Sequence, residues 1–266
     1  MTSLHTLASG SSGNALLISC GETHILVDAG ISCRRITGSL KELGLSPGDL
    51  SAIFITHTHT DHISGLQTLL KRTEAPVWGS GRTCRELVWR FAGMEDRVQE
   101  IPMCCEQPIG SCRIVAFPIS HDASGSCGYR IDTADGGVGI LTDTGYVTKE
   151  AAEILPGAEL VVLEANHDVE AVCSGPYPYY LKQRILGAEG HLCNEDAARF
   201  AVTLAKSGTT QILLAHLSKE NNTPAMARNA VERALCTAGL FPELVVAPRD
   251  QMSECFSVGG RRLCKE

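Results

Sequence analysis

The chain has 266 residues, a net charge of −7, and 44% hydrophobic against 20% charged residues, the balance of an ordinary globular protein of one or two domains. That acidity excludes a protein that coats nucleic acid through a generally basic surface, and no apolar run approaches the roughly 18 residues needed to span a bilayer. Met1-Thr2-Ser3-Leu4-His5 has neither the basic nor the apolar region of a secretory signal, so the expected location is cytoplasmic, without a membrane partner.

The chain opens on short strands, about Leu4–Ala8, Asn14–Ser19 and Thr23–Asp28. Between the first two lies Leu7-Ala8-Ser9-Gly10-Ser11-Ser12-Gly13-Asn14-Ala15. Its small residues expose backbone N–H groups, which suits either a tight hairpin turn or contact with a ligand. After Val27-Asp28-Ala29-Gly30 a helix runs to Leu43-Gly44. The apolar run Ala52-Ile53-Phe54-Ile55 is a buried strand, too short for a helix. Directly after it comes His57-Thr58-His59-Thr60-Asp61-His62, four metal-ligand types in six residues. Imidazole and carboxylate are what a catalytic Zn²⁺ prefers. His57 and His59 alternate and can face one ion, while Asp61 and His62 can turn toward a second. Ile63, Leu66, Leu69 and Leu70 then repeat at helical spacing.

Strand signals return at Cys112–Phe117, Tyr129–Asp132, Val138–Leu141 and Glu159–Glu164. Asn194 is expected to cap a helix over Glu195–Lys206 that stops at Gly208. Thr223-Pro224 opens another, stopping at Gly239. Strands at Gln211–Ala215 and Leu244–Val246 alternate with these helices. No repeat, low-complexity tract or linker interrupts this pattern, which predicts one α/β domain over residues 1–266. The 12 Cys fall well below the 8–10% of a disulfide scaffold. They are expected to be reduced and mostly small buried hydrophobes. Candidate basic patches are Arg34-Arg35, Lys71-Arg72, Lys182 with Arg184, and Arg261-Arg262.

The hexapeptide His57–His62 resembles the HxHxDH signature of the metallo-β-lactamase fold superfamily. That resemblance implies three further ligands at strand ends: His121, Asp143 in Thr142-Asp143-Thr144-Gly145, and His216 after Gln211–Ala215. It also implies the fold, an αββα sandwich of two mixed sheets flanked by helices. Four further segments narrow the resemblance: Leu7–Ala15, Leu163-Glu164-Ala165-Asn166-His167-Asp168, Gly190-His191-Leu192-Cys193-Asn194-Glu195-Asp196-Ala197, and His216-Leu217-Ser218-Lys219-Glu220-Asn221-Asn222. With Gly175–Pro178 and Leu181–Ile185 they are similar to the YycJ/WalJ family of nucleases over nearly the full length. Cys193 departs from the Ser expected there; a thiol keeps the size but is a weaker hydrogen-bonding group.

The resemblance implies a metal-dependent phosphodiesterase, a 5′→3′ exonuclease acting on DNA. His57, His59 and His121 would hold one divalent ion and Asp61, His62 and His216 the other, with Asp143 between them. Zn²⁺ suits the histidines, and the carboxylates also admit Mn²⁺. Asp61 would in addition aim the attacking water. Asp28 would orient a ligand histidine, or simply cap a turn. The related tRNase Z enzymes imply that Glu164 pairs with His191, which would protonate the leaving ribose oxygen; His167 is the rival for that role. Ser9, Ser11, Asn14, His167, Lys182, Ser218 and Asn222 are candidate substrate contacts. Two other functions fit the same ligands: hydrolysis of a small thioester or lactam, and a non-catalytic regulatory role.

Overall fold

In the computed structural model, which describes residues 1–259, the strands assemble into two seven-stranded sheets. The first contains β1 (Thr2–Ala8), β2 (Ala15–Cys20), β3 (Thr23–Val27), β4 (Leu50–Phe54), β5 (Val77–Gly79) and β6 (Val98–Glu100). The second contains β7 (Glu106–Ile109), β8 (Cys112–Pro118), β9 (Cys127–Asp132), β10 (Gly137–Leu141), β11 (Leu160–Glu164), β12 (Gln211–Ala215) and β13 (Glu243–Val246). A last strand, β14 (Phe256–Val258), returns to the first sheet beside β1. Both sheets are mixed. β1 to β3 pair antiparallel and β3 to β6 parallel. β7 to β10 pair antiparallel and β10 to β13 parallel.

Strands covered on both faces read as continuous apolar runs. Val161, Val162 and Leu163 of β11 are all fully buried, and Val162 faces the inner core while Val161 and Leu163 face the outer one. The inner core interleaves Ile18, Val27 and Phe54 of the first sheet with Ile114, Tyr129, Ile140 and Leu213 of the second. Helices α1 (Cys33–Glu42), α2 (Thr60–Ile63), α3 (Leu66–Leu69) and α4 (Gly81–Arg90) cover the outer face of the first sheet through Ile36, Leu40, Leu66 and Leu87. On the second sheet, α5 (Lys149–Ile154) packs beneath β8 and β10. The short helices α6 (Val169–Ser174) and α7 (Tyr179–Leu186) lie at the rim, and α8 (Asn194–Lys206) and α9 (Pro224–Thr237) complete the outer layer. The architecture is the expected αββα sandwich.

Three local expectations are corrected. The helix after His62 is two single turns, α2 and α3, divided at Ser64-Gly65. Gly65 lies so close to Ile31 that a Cβ would meet its carbonyl oxygen at 2.0 Å, and its N–H donates to Ala29 O. The chain breaks helical continuity to make that approach. Second, the cap of α8 is Cys193, whose sulfur accepts from Asp196 N, and Asn194 is the first helical residue. Third, only Cys20, Cys33, Cys84, Cys112 and Cys127 are buried, while Cys104, Cys105, Cys173, Cys236 and Cys255 are exposed; the described cysteines are all free. Arg261-Arg262 lie outside the described residues. Among the described residues no helix is long and apolar enough to cross a membrane.

Candidate metal centre

The loops leaving the C-terminal ends of β3, β4, β8, β10, β11 and β12 converge at one edge of the sandwich. Three residues there have left-handed backbone: Asp28 (φ 61°), Asp143 (φ 58°) and His216 (φ 54°). This region costs a non-glycine residue roughly 1–2 kcal/mol, and Asp and His are among the types that enter it most readily. Each turn ends a strand abruptly and aims a side chain back across the edge. The loop after β4 is held from both sides. Asn14 N donates to Asp61 O and Gly30 N to Asn14 O, and Arg90 donates to Thr58 O at 2.7 Å. At Gly30 a Cβ would fall 1.6 Å from Asp61 O, so only glycine permits this clasp.

The seven sequence-predicted ligands come together in two overlapping sets. His57 Nε2 lies 3.1 Å from His59 Nδ1, which lies 3.3 Å from His121 Nε2. A tetrahedral ion with Zn–N bonds of about 2.0–2.1 Å would space its ligand atoms about 3.3 Å apart. In the second set, Asp61 Oδ2 is 3.6 Å from His62 Nε2 and 3.8 Å from His216 Nε2. Asp143 stands between the sets: Oδ2 is 3.3 Å from His62 Nε2 and Oδ1 is 3.9 Å from His121 Nε2.

What each imidazole does with its other nitrogen fixes which atom faces inward. His62 Nδ1 meets Asp28 Oδ2 at 2.7 Å, His216 Nδ1 meets Glu164 Oε1 at 2.9 Å, and His121 Nδ1 meets Gly190 O at 3.1 Å. His57 Nδ1 meets Thr56 Oγ1 at 3.0 Å. The Nε2 of all four is thereby turned to the centre. His59 is reversed, with Nδ1 inward and Nε2 3.5 Å from Asp122 Oδ1. Two buried atoms at the centre, Asp143 Oδ2 and His216 Nε2, have no hydrogen-bond partner. Orphaned polar atoms are rare in protein interiors, and a divalent cation satisfies both. Donor type, spacing and orphaned atoms all fit divalent-metal binding.

Electrostatics divide the histidines. Burial, then the neighbouring imidazoles, hold His57 well below its ordinary value, and burial likewise lowers His59. Burial also opposes charge on His62, but the carboxylates of Asp28 and Asp143 outweigh it and raise the pKa to about 9. His216 is raised well above its usual range against burial, by Asp143, Asp61 and Glu164. Burial pushes Asp61 and Glu164 up, yet the imidazoles of His216 and His62, and of His191 and His216, outweigh it and hold both carboxyls low.

Glu164 is fully buried and has four partners. Oε1 is shared between Nδ1 of His191 and of His216, each at 2.9 Å; Oε2 accepts from Thr144 N at 2.9 Å and Leu192 N at 3.2 Å. His191 engages Glu164 through Nδ1 and has 24% of its side chain exposed. His167 is 1% exposed and its Nδ1 has no partner; its carbonyl accepts from Asn194 N.

The expected substrate contacts separate. Asn14 is at the centre: its Nδ2 lies 3.1 Å from His62 Nε2 and 3.4 Å from Asp61 Oδ2. Ser9 Oγ accepts from His216 N at 2.9 Å and so holds the backbone of that candidate ligand. Ser11 is exposed at the turn tip. Ser218 Oγ accepts from Asn221 N. Asn222 engages Asn194 and Ala165 O through its amide, closing the loop after His216 from inside. Lys182 donates to Cys173 O, within the α6–α7 rim.

Thr56 and Asp122 do not emerge from the sequence, and Arg184 emerges only as half of a basic pair with Lys182. Thr56 Oγ1 bonds both oxygens of Asp28 and lies against His57 and His62. Asp122 follows His121 and touches His59 and His121, and Arg184 of α7 bonds it at 2.6 Å. Adjacency to His121 is the one available signal for Asp122. Clefts of about 130 and 420 Å³ open beside His121 on its α7 and α4 sides. A cleft of about 640 Å³ between α8 and α9 has no histidine in its lining.

A profile of the beta-lactamase superfamily domain matches residues 23–217. A Streptococcus pneumoniae protein named exodeoxyribonuclease WalJ is 40% identical over 237 residues, covering 88% of each chain. A Bacillus anthracis protein named exodeoxyribonuclease YycJ is 37% identical over 237 residues, covering 86% of this chain and 87% of its own. Among solved structures, the metallo-beta-lactamase fold protein YhfI of Bacillus subtilis superposes with a TM-score of 0.72 at 18% identity, over 96% of this chain and all of its own. With the histidine–carboxylate centre at the sandwich edge, these matches show that the chain belongs to the beta-lactamase superfamily and, within it, to the family of WalJ and YycJ.

Proposed function

We propose that this chain is a metal-dependent exodeoxyribonuclease that removes nucleotides from DNA in the 5′→3′ direction, working with two divalent ions. Its relatives' names supply the reaction class. The observation that carries the reading is Glu164, a buried carboxylate that joins His216 to a second imidazole outside the seven predicted ligands, His191, through a single oxygen. A lactam or thioester hydrolase has no evident use for that arrangement, whereas cleavage to a sugar alkoxide requires a proton at the leaving oxygen.

His57, His59 and His121 would hold one ion, Asp61, His62 and His216 the other, and Asp143 would contribute to both; Zn²⁺ suits the nitrogen-rich set and Mn²⁺ the carboxylates. When bound, such ions polarise the phosphodiester and make attacking water acidic near neutral pH. The remaining steps belong to the chain. Asn14 holds Asp61, and Asp61 would accept a hydrogen bond from the water and aim it. Glu164 fixes His191 with Nδ1 as the donor to its carboxylate, leaving Nε2 to carry the proton to the departing oxygen. His191 has a quarter of its side chain open to solvent, while His167 is enclosed, which favours His191 for this role.

The test is a substrate screen of the metal-loaded protein against labelled DNA, bis-(p-nitrophenyl) phosphate, a lactoylglutathione thioester and a β-lactam. Hydrolysis of both phosphodiesters, without the thioester or lactam, is expected. Turnover of the thioester or lactam with DNA left intact would replace the nuclease reading by small-substrate hydrolysis.

A further inference from the structure

The outer face of α4 is not used by the centre just described. Thr83, Cys84 and Leu87 turn inward, so Arg82, Arg85 and Trp89, three and four residues apart, share the exposed side. Trp89 is 83% exposed, a large apolar surface left in water. Arg90 pairs with Glu86, but among the described residues neither Arg82 nor Arg85 has an ion pair. Two free guanidiniums and a bare indole on one helix face stand out in a chain of net charge −7.

This face is continuous with the metal centre. Arg82 lines the cleft of about 420 Å³ whose walls include His121 and Asp122. With Arg85 it lines an adjoining cleft of about 300 Å³ that shares Pro118, Gly125 and Ser126. Gly125 (φ +79°) lets the His121 loop lie on the Arg82 side chain: a Cβ there would meet Arg82 Cβ at 2.7 Å. Thr83 Oγ1 also donates to Gly125 O, and Arg90 to Thr58 O between two of the ligand histidines. From Arg82 to Trp89 the helix rises about 10 Å. The acids nearest the two cations are Asp122, which bonds Arg184, Glu86, which pairs with Arg90, and Glu100 and Glu189, which line the clefts beside Arg82.

We propose that the α4 face is the track for the nucleic-acid strand leading away from the scissile phosphodiester, with Arg82 and Arg85 on its phosphates and Trp89 stacked on an unpaired base. This rests on the nuclease reading above. Guanidinium matches phosphate in charge and hydrogen-bonding shape. An indole can stack only on a base whose face is free, so the track favours single strands and frayed ends over paired duplex.

The test measures binding of a fluorescein-labelled, phosphorothioate-linked oligodeoxythymidine by anisotropy over a range of salt, for wild type, Trp89→Ala, Trp89→Phe and the Arg82→Ala/Arg85→Ala double variant. Trp89→Ala should weaken binding roughly 5- to 150-fold, the factor corresponding to about 1–3 kcal/mol of stacking, and Trp89→Phe should recover most of it. The double variant should reduce the steepness of log K against log salt by about 1.4, or about 0.7 per phosphate contact. In each variant the loss on DNA hydrolysis should exceed that on bis-(p-nitrophenyl) phosphate at least tenfold. Variants that match wild type in DNA affinity and salt slope, while wild type degrades DNA, overturn the track and leave the nuclease reading standing. The track is likewise overturned if Trp89→Ala keeps DNA affinity but changes the oligomeric state, which would make the face a protein contact. A wild type that hydrolyses bis-(p-nitrophenyl) phosphate but neither binds nor degrades DNA overturns both.

Discussion

At the scale of residues, one oxygen of Glu164 serves His191 and His216 together, so the two imidazoles can be told apart by what their loss removes. His191→Ala should slow DNA hydrolysis by roughly 10²–10⁴-fold, the usual contribution of a positioned general acid. Cleavage of bis-(p-nitrophenyl) phosphate, whose leaving group needs no proton, should fall less than tenfold, and metal content should be kept. Equal losses on both substrates would remove His191 from the leaving-group role; metal loss would make it a ligand. His62 and His216 give a second prediction. Both pKa values lie above the ordinary 6.5, that of His62 at about 9. Ligation requires neutral imidazole, so ion binding at pH 7 should release protons, with the share from His62 falling as pH rises through about 9. The sign for stability follows. Because the folded His62 value exceeds the unfolded one, its stabilisation of the metal-free fold is complete below about 6.5 and is lost as pH rises through about 9. Calorimetry in buffers of different ionisation enthalpy reads the proton count; no release at pH 7 would contradict the raised values.

At the scale of elements, the loop after β4 that carries the candidate ligands packs on a glycine in the loop after β3. Gly30→Ala must displace Asp61 O, from which its Cβ would lie 1.6 Å away, so metal affinity should fall at least tenfold; affinity equal to wild type would show that the clasp is not needed. Helix α8 is capped by a thiol, and Cys193→Ser should stabilise the protein by a part of the roughly 0.5–2 kcal/mol that separates good caps from alanine, seen as a higher midpoint in urea. These elements also show what the sequence makes legible. His57–His62 is readable because four donor types are contiguous, and the strands leading to His121, Asp143 and His216 are readable because buried strands are runs of apolar residues. Asp122 is not, and Arg184 is readable only as a basic neighbour of Lys182, because their pairing joins residues 62 apart. Helix α4 escapes for a related reason: its inner face is Thr83, Cys84 and Leu87, too weakly apolar to declare a period, and its exposed Trp89 disguises the polar side. The sequence places the cap of α8 one residue late because Asn is a better cap than Cys, yet Asn194 is needed inside, against Asn222.

At the scale of the whole molecule, the candidate ligands are divided between the two sheets: His57, His59, Asp61 and His62 follow β4, and His121, Asp143 and His216 follow β8, β10 and β12. Ions held at this edge would tie one half of the sandwich to the other. At free ion a thousandfold above Kd, binding contributes about 4 kcal/mol, which for a chain of this size corresponds to roughly 8–16 °C in Tm. Chelation should lower Tm by that order, and a Tm indifferent to chelator would deny that ions bridge the halves. The most direct test of the central claim is digestion of single- and double-stranded DNA, labelled at the 5′ or the 3′ end, by metal-loaded wild type and Asp61→Ala in parallel. The account predicts that wild type releases 5′-label at once as the shortest product while 3′-labelled strands shorten progressively, and that Asp61→Ala, folded by circular dichroism, does neither. Intact DNA with wild type, or Asp61→Ala within tenfold of it, would contradict the account.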